Sequence, residues 1–253
     1  MSELSGRLAL VTGGGRGIGA AISITLAEAG ADVAIGYRKD EEAAAKTVAA
    51  IEAAGVRGRA FRAAVDNAED CAALVADVTG GFGSPDILVH CAGIASRGKS
   101  VADTDPAELE RVLRVHAMGP HHLTQAALPH LRQADRADVV FISSVATDKM
   151  GANGAPYSMG KAAMEALAHT LAKEERRNGI RVNIVAPGLV DTEMGRRLIR
   201  ATAGIENIRD ADPNFPFGHV CTPEEVAAAV TFLVSPAAGY VNDQRIVVDG
   251  GTF

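Results

Sequence analysis

Short apolar runs alternate with stretches of helical period along almost the whole chain. Residues 7–12 (Arg7-Leu8-Ala9-Leu10-Val11-Thr12) form an apolar run that ends in glycines, after which Ile18, Ala21, Ile22, Leu26 and Ala29 recur at helical spacing as far as Gly30. That reads as strand, turn and helix. A second apolar run at 31–36 completes a βαβ unit, and an alanine-rich helix follows at 41–54 with Val48 and Ile51 on one face. Strands at 59–65 and 86–90 flank a helix at 68–78. Pro106 suits the first turn of a long helix over 107–131, within which Gly119-Pro120 predicts a bend or break. A strand at 138–142, a helix at 156–177 closed by Asn178-Gly179, a strand at 180–185, a helix at 223–234 and a strand at 245–248 complete the pattern.

Strands alternating with helices give a parallel sheet covered on both faces by right-handed crossovers. The expected fold is therefore α/β, a doubly wound Rossmann-type sheet of about seven strands. Its expected extent is a single domain over residues 1–253. Residues 193–220 interrupt the rhythm, with Gly204, Pro213, Pro216 and Gly218 and weak periodicity. A long irregular insertion in a compact domain predicts a substrate lid.

The stretch Thr12-Gly13-Gly14-Gly15-Arg16-Gly17-Ile18-Gly19 joins the first strand to the first helix. Glycines let backbone approach a pyrophosphate, and the helix N-terminus offers unpaired N–H groups to it. The acid that takes the ribose 2′-hydroxyl in NAD enzymes belongs at the end of the second strand, but that end reads Gly36-Tyr37-Arg38-Lys39. Arg16 and Arg38 match a 2′-phosphate instead, so the expected cofactor is NADP(H).

Tyr157-Ser158-Met159-Gly160-Lys161 supplies candidate chemistry. One helical turn separates the phenol from the ammonium, and a nearby positive charge favours phenolate, which makes Tyr157 usable as a general acid or base. Ser144, thirteen residues upstream of Tyr157, adds a hydroxyl able to orient a substrate oxygen.

Composition excludes several alternatives. Hydrophobic residues are 47% and charged residues 22%, a globular balance, and no apolar run approaches the roughly 18 residues of a membrane span. A net charge of −6 without tryptophan argues against a nucleic-acid surface. Cys71, Cys91 and Cys221 form no C-x-x-C pair, and the seven histidines, His116, His121, His122 and His130 among them, show no metal-ligand spacing. No metal, no disulfide and a cytoplasmic location are expected, the last also because the N-terminal residues lack a signal-peptide pattern.

With the glycine loop, Ser144, Tyr157 and Lys161 in one alternating chain, the sequence resembles the single-domain short-chain dehydrogenase/reductases along essentially its whole length. His90-Cys91-Ala92-Gly93, the run from Arg181 to Gly188 with Thr192, and Val248-Asp249-Gly250-Gly251 look like further motifs of that family. The resemblance implies a cofactor surface made by Gly13, Gly15, Arg16, Gly17, Ile18, Gly19, Tyr37, Arg38, Val65, Cys91, Ala92, Gly93, Tyr157, Lys161, Pro187, Gly188, Val190 and Thr192. It also implies that Ser144 polarises a carbonyl, that Tyr157 protonates the developing alkoxide, and that Lys161 binds ribose and depresses the pKa of Tyr157.

Three departures stand out. His90-Cys91 replaces a usual Asn-Asn pair, Ala64 stands where an Asp often meets adenine, and His116 stands where the family's catalytic Asn belongs. His116 is either a member of the proton relay, with a charge that changes near pH 6.5, or a packing residue. The subgroup most similar is the β-ketoacyl-acyl carrier protein reductases, on Gly14-Gly15-Arg16-Gly17, Tyr37-Arg38 and the segment from Pro216 to Val226. That similarity implies a ketone or acyl thioester substrate, fatty acid biosynthesis and an acidic carrier protein, for which Arg132, Arg136, Arg176 and Arg177 are candidate contacts, and the family resemblance implies a homotetramer. Reductases or dehydrogenases for sugars, polyols, steroids or other small ketones are the alternative, and a non-catalytic nucleotide-binding scaffold a minor one.

Overall fold

The computed structural model describes residues 3–252. Seven parallel strands form one sheet: β1 (Leu8–Thr12), β2 (Asp32–Tyr37), β3 (Gly58–Arg62), β4 (Ile87–His90), β5 (Ala137–Ile142), β6 (Ile180–Pro187) and β7 (Arg245–Val248). Their order is β3-β2-β1-β4-β5-β6-β7. Central strands read as continuous apolar runs because both faces of the sheet are covered. The two faces have separate cores: Ala9 and Val11 of β1 point into one, and Leu8 and Leu10 into the other.

The first core is closed by α1 (Gly17–Glu28), α2 (Glu41–Ala53) and α9 (Pro223–Val234). The second is closed by α3 (Ala68–Gly81), α5 (Gly119–Leu131) and α7 (Ala155–Glu175). Between β1 and β4 the strand order reverses, and the crevice outside the strands' carboxyl ends at such a switch point is where open α/β sheets bind ligands.

The chain differs from the sequence expectation in three places. The helix expected over 107–131 is continuous rather than broken, running through α4 (Pro106–Leu113), a π-helical turn (Arg114–Met118) and α5. Pro120 has no N–H to give the His116 carbonyl four residues back, and the wider turn, with Gly119 N–H bonded to the Arg114 carbonyl, absorbs the mismatch. The third strand stops at Arg62 instead of Val65. Residues 193–220, expected to be irregular, begin with a helix, α8 (Glu193–Ala203), capped by Thr192 and followed by short 3₁₀ turns. The helix breakers that weaken the pattern lie at Gly204 and beyond, while Met194, Leu198 and Ile199 already repeat at helical spacing among arginines.

Candidate active site

Every residue of the expected site lies at the carboxyl end of a strand or on the helix facing it. Gly13, Gly15, Arg16, Gly17, Ile18 and Gly19 connect β1 to α1, Tyr37 and Arg38 end β2, and Val65 follows β3. Cys91, Ala92 and Gly93 follow β4, Pro187 ends β6, and Gly188, Val190 and Thr192 lead into α8.

The glycine loop is shaped by close approaches. A Cβ on Gly13, whose φ is +66°, would lie 2.9 Å from Ala92 Cα, and one on Gly19 would lie 2.2 Å from the Gly13 carbonyl oxygen. Thr12 Oγ1 accepts from the N–H groups of Cys91 (3.1 Å) and Ala92 (3.2 Å), which fastens the β4 loop to the glycine loop. Thr192 packs over Gly17 from the other side.

The start of α1 fits an anion. Arg16 makes no side-chain cap bond and the first turn carries no acid, as at the start of α7, whereas α2, α3, α4, α8 and α9 all begin with a side-chain cap and an acidic residue. Its first N–H groups and positive dipole end are thus left for a ligand phosphate. Arg38 lies 3.3 Å from Asp66, and Arg16 lies 3.4 Å from Glu193 of α8. Both arginines therefore have carboxylate partners, which the sequence reading did not foresee, but both are more than half exposed and such pairs are weak. Of the remaining cofactor candidates, Val190 is buried and offers only backbone.

Ser144 follows β5 and precedes the short helix α6 (Ala146–Lys149). Tyr157 and Lys161 stand one turn apart on α7, with the ammonium 5.8 Å from the centroid of the phenol ring. Lys161 is buried and donates to the Ile142 carbonyl at 2.6 Å. Burial lowers its pKa to about 8, with Cys91 and Glu165 pulling it back up. The expectation that the ammonium depresses the tyrosine's pKa is corrected: burial pushes Tyr157 up to about 12, with a hydrogen bond from Ser144 pulling the other way and Cys91 adding to the rise. In the protein alone, burial sets the direction.

His116 sits on the π turn against the site, its ring edge-to-face with Tyr157 at 5.1 Å between centroids. A Cβ on Gly160 would lie 2.8 Å from His116 Cβ, so the glycine of the Tyr-to-Lys stretch admits this ring. Nε2 lies 2.7 Å from the Ile94 carbonyl and 3.1 Å from the Ile94 nitrogen. The shorter contact places the proton on Nε2, which leaves the buried Nδ1 an acceptor without a partner. Burial first, and the Lys161 charge second, lower its pKa to about 3. A charge change near pH 6.5 is therefore corrected, and the imidazole is neutral at physiological pH. His90, the other departure, stacks on Phe141 and bonds Thr124 Oγ1 at 3.0 Å, so it braces β4 against α5.

Arg132 is bonded to Glu175, and Arg136 to Asp138 and the carbonyls of Val234 and Ser235. Both, with Arg176 and Arg177, lie near the amino ends of β5 and β6, away from Ser144, so this group does not border the site. A cavity of about 510 Å³ does border it, lined by Lys149, Gly188, Leu189, Leu198, Ile199 and Phe215 among others. Sequence reasoning missed Thr12, Glu165 and Arg245. Glu165 had a signal, since it stands four residues after Lys161 on the same helix face. No group of metal-ligating side chains occurs among the described residues, and no helix there is long and apolar enough to cross a membrane.

A Rossmann sheet with this glycine loop and a serine, tyrosine and lysine at the strand ends defines a dinucleotide-dependent oxidoreductase, and the chain belongs to the short-chain dehydrogenase/reductase family. A family model described as enoyl-(acyl carrier protein) reductase matches residues 13–252. The chain is similar to versicolorin reductase 1 of Aspergillus parasiticus, at 37% identity over 99% of this chain and 98% of that one. It is similar as well to cis-4-hydroxycyclohexanecarboxylate dehydrogenase of Sinomonas cyclohexanicum, at 37% identity over 97% and 96% of the two chains. Among solved structures, a short chain dehydrogenase from Burkholderia cenocepacia J2315 in complex with NADP superposes with a TM-score of 0.89, at 36% identity and 98% coverage of each chain. The named relatives act on varied substrates and do not single out β-ketoacyl-acyl carrier protein reductases.

Proposed function

We propose that the chain interconverts a ketone and a secondary alcohol with NADP(H). The observation that carries this reading is the convergence of Ser144, Tyr157 and Lys161 at the carboxyl end of the sheet, beside the uncapped start of α1. The NADP complex of the Burkholderia relative and the absence of an acid at the end of β2 support the phosphate-bearing dinucleotide. When bound, that cofactor supplies the hydride. The N–H groups opening α1 hold its pyrophosphate, Arg16 and Arg38 its 2′-phosphate, and Tyr37, Val65, the loop from Cys91 to Gly93 and the turn from Pro187 to Thr192 enclose the rest.

Ser144 donates to the substrate carbonyl and orients it. Tyr157, held protonated by burial, gives its proton to the oxygen as negative charge develops there, and Lys161 contributes a positive charge one turn away. His116 in this reading is a neutral positioning residue that bonds Ile94 and packs edge-on against Tyr157 rather than a titrating relay. Turnover by Tyr157→Phe at the wild-type rate, with NADPH and a panel of ketones, would end this assignment.

The substrate side is apolar. Residues 193–220 act as the lid, whose exposed Met194, Leu198 and Phe217 join Met150 and the cavity beneath α8 in offering hydrocarbon surface. A 3-oxoacyl thioester, whose chain enters that cavity, is one substrate of this kind, and a ring ketone is another. Comparing acetoacetyl and longer 3-oxoacyl thioesters with cyclic ketones and sugars distinguishes them. A homotetramer belongs to the same reading, supported by the exposed Met118, Met159, Phe232 and Val247 on the long helices, α9 and β7; a monomeric mass by light scattering would exclude it.

A further inference from the structure

Arg245 and Glu165 stand outside the expected site, yet both reach the turn that carries Ser144. Arg245 opens β7, and its Nη2 donates to the Ser144 carbonyl at 3.4 Å, to Thr147 Oγ1 at 2.9 Å and to Asp148 Oδ2 at 2.7 Å. Its Nε donates to Glu165 Oε1 at 2.9 Å. The same carboxylate oxygen accepts from Ser143 Oγ at 2.5 Å and from Thr147 Oγ1 at 3.0 Å. The side chains of Arg245 and Glu165 are 19% and 15% exposed, so these charge-assisted bonds are only partly screened.

The turn needs such support. Beyond β5 its backbone is tied to the sheet through the Ser143 and Val145 N–H groups, bonded to the carbonyls of Val185 and Pro187 at 2.7 and 3.0 Å. The Ser144 hydroxyl itself accepts locally from the Ala146 N–H. A hydroxyl that orients a reacting carbonyl works only when held to within about 0.5 Å, which requires a supporting shell of packed and hydrogen-bonded side chains.

We propose that Arg245, anchored by Glu165, is a positioning residue that fixes the Ser144 hydroxyl for carbonyl reduction. It gathers α7, β7 and the Ser144 turn into one clamp and touches neither substrate nor cofactor. The inference rests on the reading of Ser144 given above. Glu165 also faces Lys161, so its own substitution mixes two effects, and Arg245 is the residue on which the question turns.

The test is a cycle of Arg245→Met and Ser144→Ala, with ketone reduction by NADPH, NADPH affinity by fluorescence and thermal midpoint measured on all four proteins. With Ser144 present, Arg245→Met is expected to lower kcat by about 10- to 100-fold while NADPH affinity is unchanged. In the Ser144→Ala background the same change is expected to alter kcat by less than about 2-fold, because the group it positions is gone. Equal losses in both backgrounds, or none in either, would overturn the proposal. Wild-type turnover by Ser144→Ala alone would instead overturn the role of Ser144 on which it rests. If Arg245→Met fails to fold, Thr147→Val removes the contacts of Thr147 Oγ1 with Arg245, Glu165 and the Ser144 carbonyl without changing the clamp's charges and is expected to show the same dependence on Ser144, with a smaller loss.

Discussion

Lys161 donates to the Ile142 carbonyl at 2.6 Å, which anchors the ammonium at the end of β5 rather than at the phenol of Tyr157. The pKa values of the two groups then follow burial: the phenol rises to about 12 and the ammonium falls to about 8. In carbonyl reduction Tyr157 starts in the required protonated form throughout the neutral range. Alcohol oxidation needs the phenolate, which the free protein disfavours. We expect kcat/KM for oxidation to rise by up to about ten-fold per pH unit between pH 7 and 10, and kcat/KM for reduction to decline above about pH 8 as Lys161 loses its proton. Steady-state profiles in both directions check this, and an oxidation rate flat over that range would contradict it.

Arg38 is paired with Asp66 at 3.3 Å but is half exposed, so the pair contributes less than about 1 kcal/mol and the guanidinium is free to exchange one anion for another. Arg38→Ala is expected to lower kcat/KM for NADPH by about 10- to 100-fold while leaving that for NADH nearly unchanged. Asp66→Asn removes the competing carboxylate and is expected to tighten NADPH modestly. Both are read from the ratio of kcat/KM for the two dinucleotides, and an unchanged ratio in Arg38→Ala would remove Arg38 from the phosphate site.

What was legible in the chain depended on how local its cause is. The buried strands show as apolar runs because both faces of each are covered, and Tyr157 and Lys161 show because one helix fixes their spacing. Gly119-Pro120 signals an irregularity but not its form, a π turn in which the Gly119 N–H bonds the Arg114 carbonyl and the helix continues unbroken. The pKa direction at Tyr157 was misread by weighing the charge of Lys161 without burial, which only the packed structure supplies. Arg245 carries no motif at all, and its partners Glu165, Thr147 and Asp148 lie about 80 to 100 residues away in sequence.

His90 and His116 are both buried, and burial lowers each pKa to about 3. Their values in the unfolded chain lie near 6.5, so between about pH 6.5 and pH 3 the unfolded chain binds more protons than the native one. These two groups therefore contribute stability that is present above pH 6.5 and is lost as pH falls through that window. The double variant His90→Asn and His116→Asn is expected to show a shallower fall of thermal midpoint over that range. A fall as steep as in the parent would show that other groups govern acid unfolding.

Asp138, the second residue of β5, is almost fully buried and faces three guanidiniums: Arg7 Nη2 at 3.0 Å, Arg136 Nε at 3.1 Å, and Arg181. Removing this anion leaves Arg136 and Arg181 without a carboxylate partner, while Arg7 keeps Asp86 at 2.6 Å, and breaking a buried pair from one side costs about 3–5 kcal/mol. Asp138→Asn preserves the side chain's shape and so isolates the charge. It is expected to lower the urea midpoint by an amount corresponding to that loss. Ser144 lies beyond the far end of the same strand, roughly 20 Å away at about 3.3 Å per residue, so kcat of the folded fraction should be unaffected. A loss of stability below about 1 kcal/mol would mean that the arginines repartition to solvent and to the carbonyls of Arg136, Val234 and Ser235, which they already approach. A large change in kcat with stability intact would place Asp138 in communication with the active site, contrary to its position at the opposite end of the strand.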